Sequence, residues 1–166
     1  LFKALNKNQF MDTKKPLKRH EALKPLSRQH HFGLLFSWKI RKGFTENISV
    51  ERIKAYANWF FIHELEPHFK LEEEHIFPIL DARNPLIIRV LKEHRRIEHL
   101  FHDQDHIQNS LSLLGVELKA HIRFEERILF TEIQEEATKE ELQKIEKIHF
   151  NSGAKEDYPD PFWEKS

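Results

Sequence analysis

Apolar residues recur along most of this chain at three- and four-residue intervals, the spacing that lines one face of an α-helix. The first such stretch runs from Pro16 or Arg19 to Lys42, with Leu23, Leu26, Leu34, Leu35, Trp38 and Ile40 in step, and Gly43 is its predicted C-terminal stop. A second starts at Asn47 or Ser49 as N-cap and carries Val50, Ile53, Tyr56, Ala57, Phe60, Phe61 and Leu65. Pro67 interrupts it, and a proline inside a helix costs about 3 kcal/mol. The pattern still continues through Leu71, Ile76 and Leu80, which predicts one long helix bent just before His68.

Asn84-Pro85 pairs an N-cap with a proline at the first helical position and opens a third helix, through Ile88, Leu91, Ile97 and Phe101 to about Gln108. Asn109-Ser110 is the expected turn. The fourth helix runs from about Leu111 to Glu136, through Leu114, Leu118, Ile122, Phe124, Ile128, Leu129 and Ile133. Thr138 and Glu141 form a capping box for a short fifth helix reaching about Phe150. Almost no segment alternates with period two. Four long amphipathic helices with short connections predict an all-α fold, an antiparallel up-down-up-down four-helix bundle over residues 16–150. Residues 1–15 lack periodicity and read as an N-terminal extension. Met11 is the sole methionine, which makes residues 1–10 a candidate for non-native upstream sequence. The tail, residues 151–166, holds Tyr158, Phe162 and Trp163 and is expected to pack across the bundle.

Composition removes several functions. The 27 Lys and Arg balance the 27 Asp and Glu, so no net field draws the chain to nucleic acid or an anionic membrane. Short basic runs at Lys14-Lys15, Lys18-Arg19 and between Lys39 and Lys42 read as solvated faces. No stretch has the length of a membrane span or a signal-peptide core, and cytoplasmic is the default expectation. The absence of cysteine excludes thiolate zinc sites, iron–sulfur clusters, disulfides and cysteine nucleophiles.

The unusual residue is histidine, with 12 copies. His68-x3-Glu72-Glu73 is repeated as His121-x3-Glu125-Glu126, each copy followed by an apolar run. Residues i and i+4 share a helix face, so each copy aims an imidazole and a carboxylate at one spot. On the third helix His94 falls on the inward stripe with Ile87 or Ile88, Leu91 and Ile97, and Glu98 follows one turn on. The first helix offers His30 or His31. A lone histidine on an apolar face is more often a hydrogen-bonded core residue, and a Glu-Glu pair is usually solvated. Their conjunction on four helices points instead to a metal pair between them. Imidazole with carboxylate suits iron, manganese or zinc rather than calcium or magnesium. Glu73 and Glu126 are expected to face solvent or a partner of the ligands, and His75 is a weaker substitute ligand.

These residues resemble the hemerythrin-like (HHE) cation-binding family. The likeness is carried by Leu26 to His31, His68 to Pro78, Glu93-His94 and His121 to Phe130, and it spans residues 16–136. It implies a non-heme diiron centre with His30, His68, His94 and His121 as terminal ligands and Glu72 and Glu125 as bridges. Oxygen-carrying hemerythrins have a second histidine where this chain has Glu98, and an aspartate five residues after the last histidine. Those departures turn the expectation from oxygen carriage toward binding or sensing of O₂, NO, iron or redox state, with Glu98 a seventh candidate ligand. The alternative is a metal-stabilised interaction or regulatory module with a structural site and a protein partner of unknown kind. No substrate pocket or acid–base pair beyond the ligands marks an enzyme.

Overall fold

The computed structural model describes residues 18–148 and 157–164, and every regular element among them is helical. A 3₁₀ turn, Glu21–Leu23, leads into α1 (Lys24–Thr45). Helix α2 covers residues 50–79, α3 is Pro85–His102, α4 covers residues 107–136 and α5 is Lys139–Glu146. The expected N-terminal extension lies outside the described residues, and the fifth helix, expected to reach about Phe150, ends at Glu146 with Lys147 as its C-cap.

Three helix starts follow their sequence signals. Ser49 Oγ accepts from the Arg52 N–H, Asn84 Oδ1 accepts from the Leu86 N–H at 2.8 Å, and Thr138 and Glu141 exchange the bonds of a capping box. Two expected boundaries move. Gly43 does not stop α1; it is buried within the helix, where a Cβ would lie 2.9 Å from Ile53 Cδ1 and 3.0 Å from Phe162 Cε2. Its hydrogen side chain is needed for close packing, and the chain turns instead at Asn47, whose φ is 54°. Asn109 and Ser110 likewise lie inside α4. The break falls at residues 103–106 because Asp103 organises it. Its Oδ2 accepts from the Ser110 hydroxyl at 2.5 Å, and its Oδ1 accepts from the N–H groups of His106 and Asp105 at 3.1 and 2.9 Å.

Pro67 leaves α2 continuous. A π-helical turn at Phe61–Leu65 widens the ladder just before it, where the missing N–H and the ring would otherwise break the helix. Two more π turns follow, Glu72–Ile76 in α2 and Glu125–Leu129 in α4.

The interior divides into two apolar clusters. One gathers Phe36, Tyr56, Phe60, Phe101, Leu114 and the tail residue Phe162. The other gathers Leu26, Ile76, Val90, Phe130, Ile133 and Ile145 of α5. Along α1 and α3 the second cluster is met first, and along α2 and α4 the first cluster is. Fully burying one such side chain contributes about 1.5–3 kcal/mol, so both clusters make firm walls. Not every apolar residue in step turns inward: Ile88 and Ile128 are 57% and 48% exposed, and Leu34 and Trp38 lie at the surface. The described part of the tail, residues 157–164, packs on the helices, with Phe162 buried, Trp163 beside Tyr56 and Asp160 paired to Arg52. No helix among the described residues is long and apolar enough to cross a membrane.

Candidate metal centre

At the crossing between the two apolar clusters, six buried polar side chains converge: His30, His68, Glu72, His94, His121 and Glu125. The repeated motif supplies four of them. His68 Nε2 lies 3.2 Å from Glu72 Oε1, and His121 Nε2 lies 3.2 Å from Glu125 Oε2. Helices α1 and α3 add His30 and His94.

Each carboxylate faces both sides of the cluster. Glu125 Oε2 is 3.1 Å from His30 Nε2, and its Oε1 is 3.6 Å from His94 Nε2. Glu72 Oε1 is 3.7 Å from His30 Nε2, and its Oε2 is 3.6 Å from His94 Nε2. The imidazoles fall into two matching pairs, His30–His68 and His94–His121, each with ring centroids 4.9 Å apart and planes crossing at 70° and 67°. Donor atoms of His30, His68, Glu72 and Glu125 lie within 4.8 Å of one another, as do those of His94, His121 and Glu125. These are two adjoining donor sets with Glu125 in common. Glu72 and Glu125 each open one of the π turns, and the extra residue re-phases the helix behind them. Both glutamates of each Glu-Glu pair thereby serve the cluster, while Ile76 and Leu129 return to the apolar core.

The second ring nitrogen of every histidine is also engaged. His30 Nδ1 is 2.7 Å from Glu126, His68 Nδ1 is 2.8 Å from Gln29, His94 Nδ1 is 2.8 Å from Glu73, and His121 Nδ1 is 2.9 Å from Glu93. An acceptor at Nδ1 holds a proton there, so that Nε2 is the nitrogen whose lone pair a metal ion would take. The pattern has its own order. The residue preceding the histidine on α1 or α3 (Gln29, Glu93) serves the motif histidine of the next helix. The second glutamate of each motif (Glu73, Glu126) serves the histidine on α3 or α1. Phe69 stacks on His94 with centroids 3.6 Å apart, which fixes the plane of that ring.

The charges fit a cation. Burial works against the Glu125 carboxylate, yet the His121 charge and the imidazoles of His30 and His94 hold its pKa well below the usual range. Glu72 is lowered too, with burial and the Glu125 charge opposed by His68 and His30. Burial would lower His121, but Glu125 and Glu93 raise it to about 9; His30 and His94 are raised by the same kind of neighbour. The carboxylates thus favour positive charge on the imidazoles, and a metal ion would compete with protons for the same atoms.

Among the described residues, Glu72 Oε1 and Oε2, Glu125 Oε1 and Oε2, His94 Nε2 and His121 Nε2 are buried with no hydrogen-bond partner. Six converging orphan atoms are costly in a folded protein unless something else satisfies them. Four nitrogens and four carboxylate oxygens, with no thiolate, suit iron, manganese or zinc. The residues therefore fit a dinuclear metal group. Beside it lies a cavity of about 20 Å³, lined by His30, His68, His121 and Glu125, by Gln29 and Glu64, and by apolar residues that include Phe60, Leu65 and Leu118. That is room for one water-sized molecule.

Of the residues expected from the sequence, His30, His68, Glu72, His94, His121 and Glu125 come together. Between the first-helix pair, His30 is the buried one and His31 is exposed. Glu98 is not with them. Both its oxygens take hydrogen bonds from Arg95 Nη1 at 2.7 Å, and it reaches His94 only through Arg95 and Glu73. His75 is exposed, and His63 stacks on Trp59. Gln29 and Glu93 were not foreseen from the sequence. The signal that finds them is their place immediately before His30 and His94, matching in the two halves. Comparison of the chain with family models, curated proteins and solved structures gives no match in any of the three.

Proposed function

We propose that His30, His68, Glu72, His94, His121 and Glu125 hold a non-heme dinuclear metal centre, with iron as the metal, and that the protein binds or senses a diatomic molecule there, O₂ or NO. The observation that carries this is the pairing of six inward-facing donor atoms that lack partners with an acceptor on every outward Nδ1. A merely structural polar core would satisfy its atoms internally. The alternation of the two apolar clusters along successive helices supports the hemerythrin-like up-down-up-down bundle, with the centre across its middle.

Bound there, a pair of irons supplies one-electron redox chemistry and open positions for a small ligand. The chain supplies the rest. His30 and His68 approach from one side, His94 and His121 from the other, and Glu72 and Glu125 reach both. Gln29, Glu73, Glu93 and Glu126 keep the Nδ1 protons in place and so hold the rings in their metal-binding tautomer. Phe60, Leu65 and Leu118 give the ligand cavity an apolar lining, beside the polar Gln29 and Glu64. The cavity favours ligand binding over a closed structural site. Glu98 stays outside the set.

The test is metal content with an optical spectrum of the purified protein before and after dithionite, then after NO. Two irons per chain, with ferric absorption that bleaches on reduction and shifts with NO, is the expected result. Zinc alone, or a spectrum indifferent to dithionite and NO, would leave a structural metal module in its place.

A further inference from the structure

Away from the histidine cluster, the outer faces of α1 and α4 form a groove that is both apolar and basic. Its main hollow is a cavity of about 430 Å³ lined by Leu34, Trp38, Ile122, Arg41, Arg123 and Arg127. A second hollow of about 220 Å³ shares Ser37 and Arg41 with it and is lined further by Ile40, Phe44 and Val116. Trp38 is 42% exposed and Val116 67% exposed, one beside each hollow.

The arginines separate into two groups. All ten lie among the described residues, and six of them (Arg19, Arg52, Arg83, Arg89, Arg95 and Arg96) pair with a carboxylate. The other four, Arg28, Arg41, Arg123 and Arg127, have no such pair among the described residues, and three of these line the groove. Lys119 adds a further cation, and among the described residues lining the hollow the one acid is Glu126, already engaged by Arg19 and His30. In a chain of zero net charge, three of the four arginines without a carboxylate pair among the described residues thus lie beside exposed tryptophan and leucine.

We infer that this groove is a docking site for an acidic amphipathic helix of a partner protein. Its apolar residues seat in the two hollows, and its carboxylates meet Arg41, Arg123 and Arg127. Two successive hollows between parallel ridges suit apolar anchors spaced three or four residues apart, and guanidinium groups suit planar carboxylates. A nucleic acid fits less well. Phosphates gain nothing from Leu34, Ile40 and Ile122, and a cationic track longer than this rim is needed to follow a backbone.

The test uses the full chain and a fluorescein-labelled peptide of Glu, Ala and Leu, with leucines three and four residues apart. Anisotropy should saturate at micromolar protein and weaken as salt rises. The double variant R123E/R127E should weaken binding at least tenfold, and Trp38→Ala should do so with less change in salt dependence. Arg28→Glu, an unpaired arginine that does not line the groove, should leave binding unchanged. The substituted side chains are exposed, and unchanged thermal melts would show that the fold persists. No saturable binding, or binding indifferent to R123E/R127E, would overturn the inference. So would tighter binding of oligo-dT through the same residues, or sedimentation showing that a second copy of the chain covers Trp38.

Discussion

Gln29 Oε1 stands 2.8 Å from His68 Nδ1, the one place among the four outer contacts where an amide replaces a carboxylate. A carboxylate at Nδ1 raises the basicity of the imidazole more than an amide does. His68 is therefore the least strongly polarised donor of the four. Gln29→Glu should slow release of metal to a chelator. Glu93→Gln, which makes the His121 contact resemble that of His68, should lower metal affinity by roughly 10–100-fold. Competition with a chromophoric chelator reads both, and equal affinities in wild type and Glu93→Gln would contradict the assignment.

Glu125 belongs to both donor sets, whereas Glu72 reaches His94 with one oxygen but falls outside the set of His94, His121 and Glu125. Glu125→Gln should therefore abolish binding of both metal ions, and Glu72→Gln should retain one ion with His94, His121 and Glu125. Metal analysis of each purified variant gives the stoichiometry directly. In both variants the rise in melting temperature on metal addition should shrink, because binding free energy to the native state adds to stability.

Gly33 lines the small cavity beside the cluster, and a Cβ there would come within 2.6 Å of Ile122 Cδ1. The obstructing atom is the far end of a flexible side chain, so Gly33→Ala should fold with Ile122 pushed into the cavity. Iron content should be unchanged while NO binding, followed by stopped-flow absorbance, becomes slower and weaker. Gly43→Ala is different. The new methyl would press on Ile53 and Phe162 together, and overpacking of this kind costs about 1–3 kcal/mol. Its melting temperature should fall without effect on metal content.

Asp103 supplies a pH dependence remote from the histidine cluster. The Ser110 hydroxyl and the N–H groups of His106 and Asp105 hold its pKa at about 2, below the ordinary 3.8. A carboxyl lowered in the folded state contributes stability that is present above its unfolded pKa and lost as pH falls through the folded one. The link between α3 and α4 should therefore weaken between about pH 4 and pH 2. Asp103→Asn should lower the melting temperature at pH 6 and flatten its decline over that acid range, as followed by circular dichroism.

Much of the helical plan was legible because period and caps agree, as at Asn84-Pro85 and Thr138-Glu141. The boundaries that moved were set by contacts no local pattern encodes. Gly43 carries a stop signal, but the approach of Ile53 and Phe162 decides its role. Asp103 outcompetes Asn109-Ser110 as the turn because it gathers three hydrogen bonds. The six converging residues could be read from the doubled motif and the apolar stripes. Glu98 could not be placed correctly, since the i+4 rule cannot foresee that Arg95 claims the carboxylate. Gln29 and Glu93 escaped because their acceptor role appears only when helices are laid beside one another.

The crossed contacts of Glu73 and Glu126 have a consequence for the chain as a whole. Residues up to the 80–84 connection contain His30, His68, Glu72 and Gln29, but the acceptor for His30 is Glu126 in the other half. Residues beyond it contain His94, His121, Glu125 and Glu93, but the acceptor for His94 is Glu73 in the first half. Each half lends the other one carboxylate, as the two subunits of a twofold dimer would. Cut at that connection, the protein becomes a pair of reciprocal fragments, each an incomplete half-site that only its counterpart can finish.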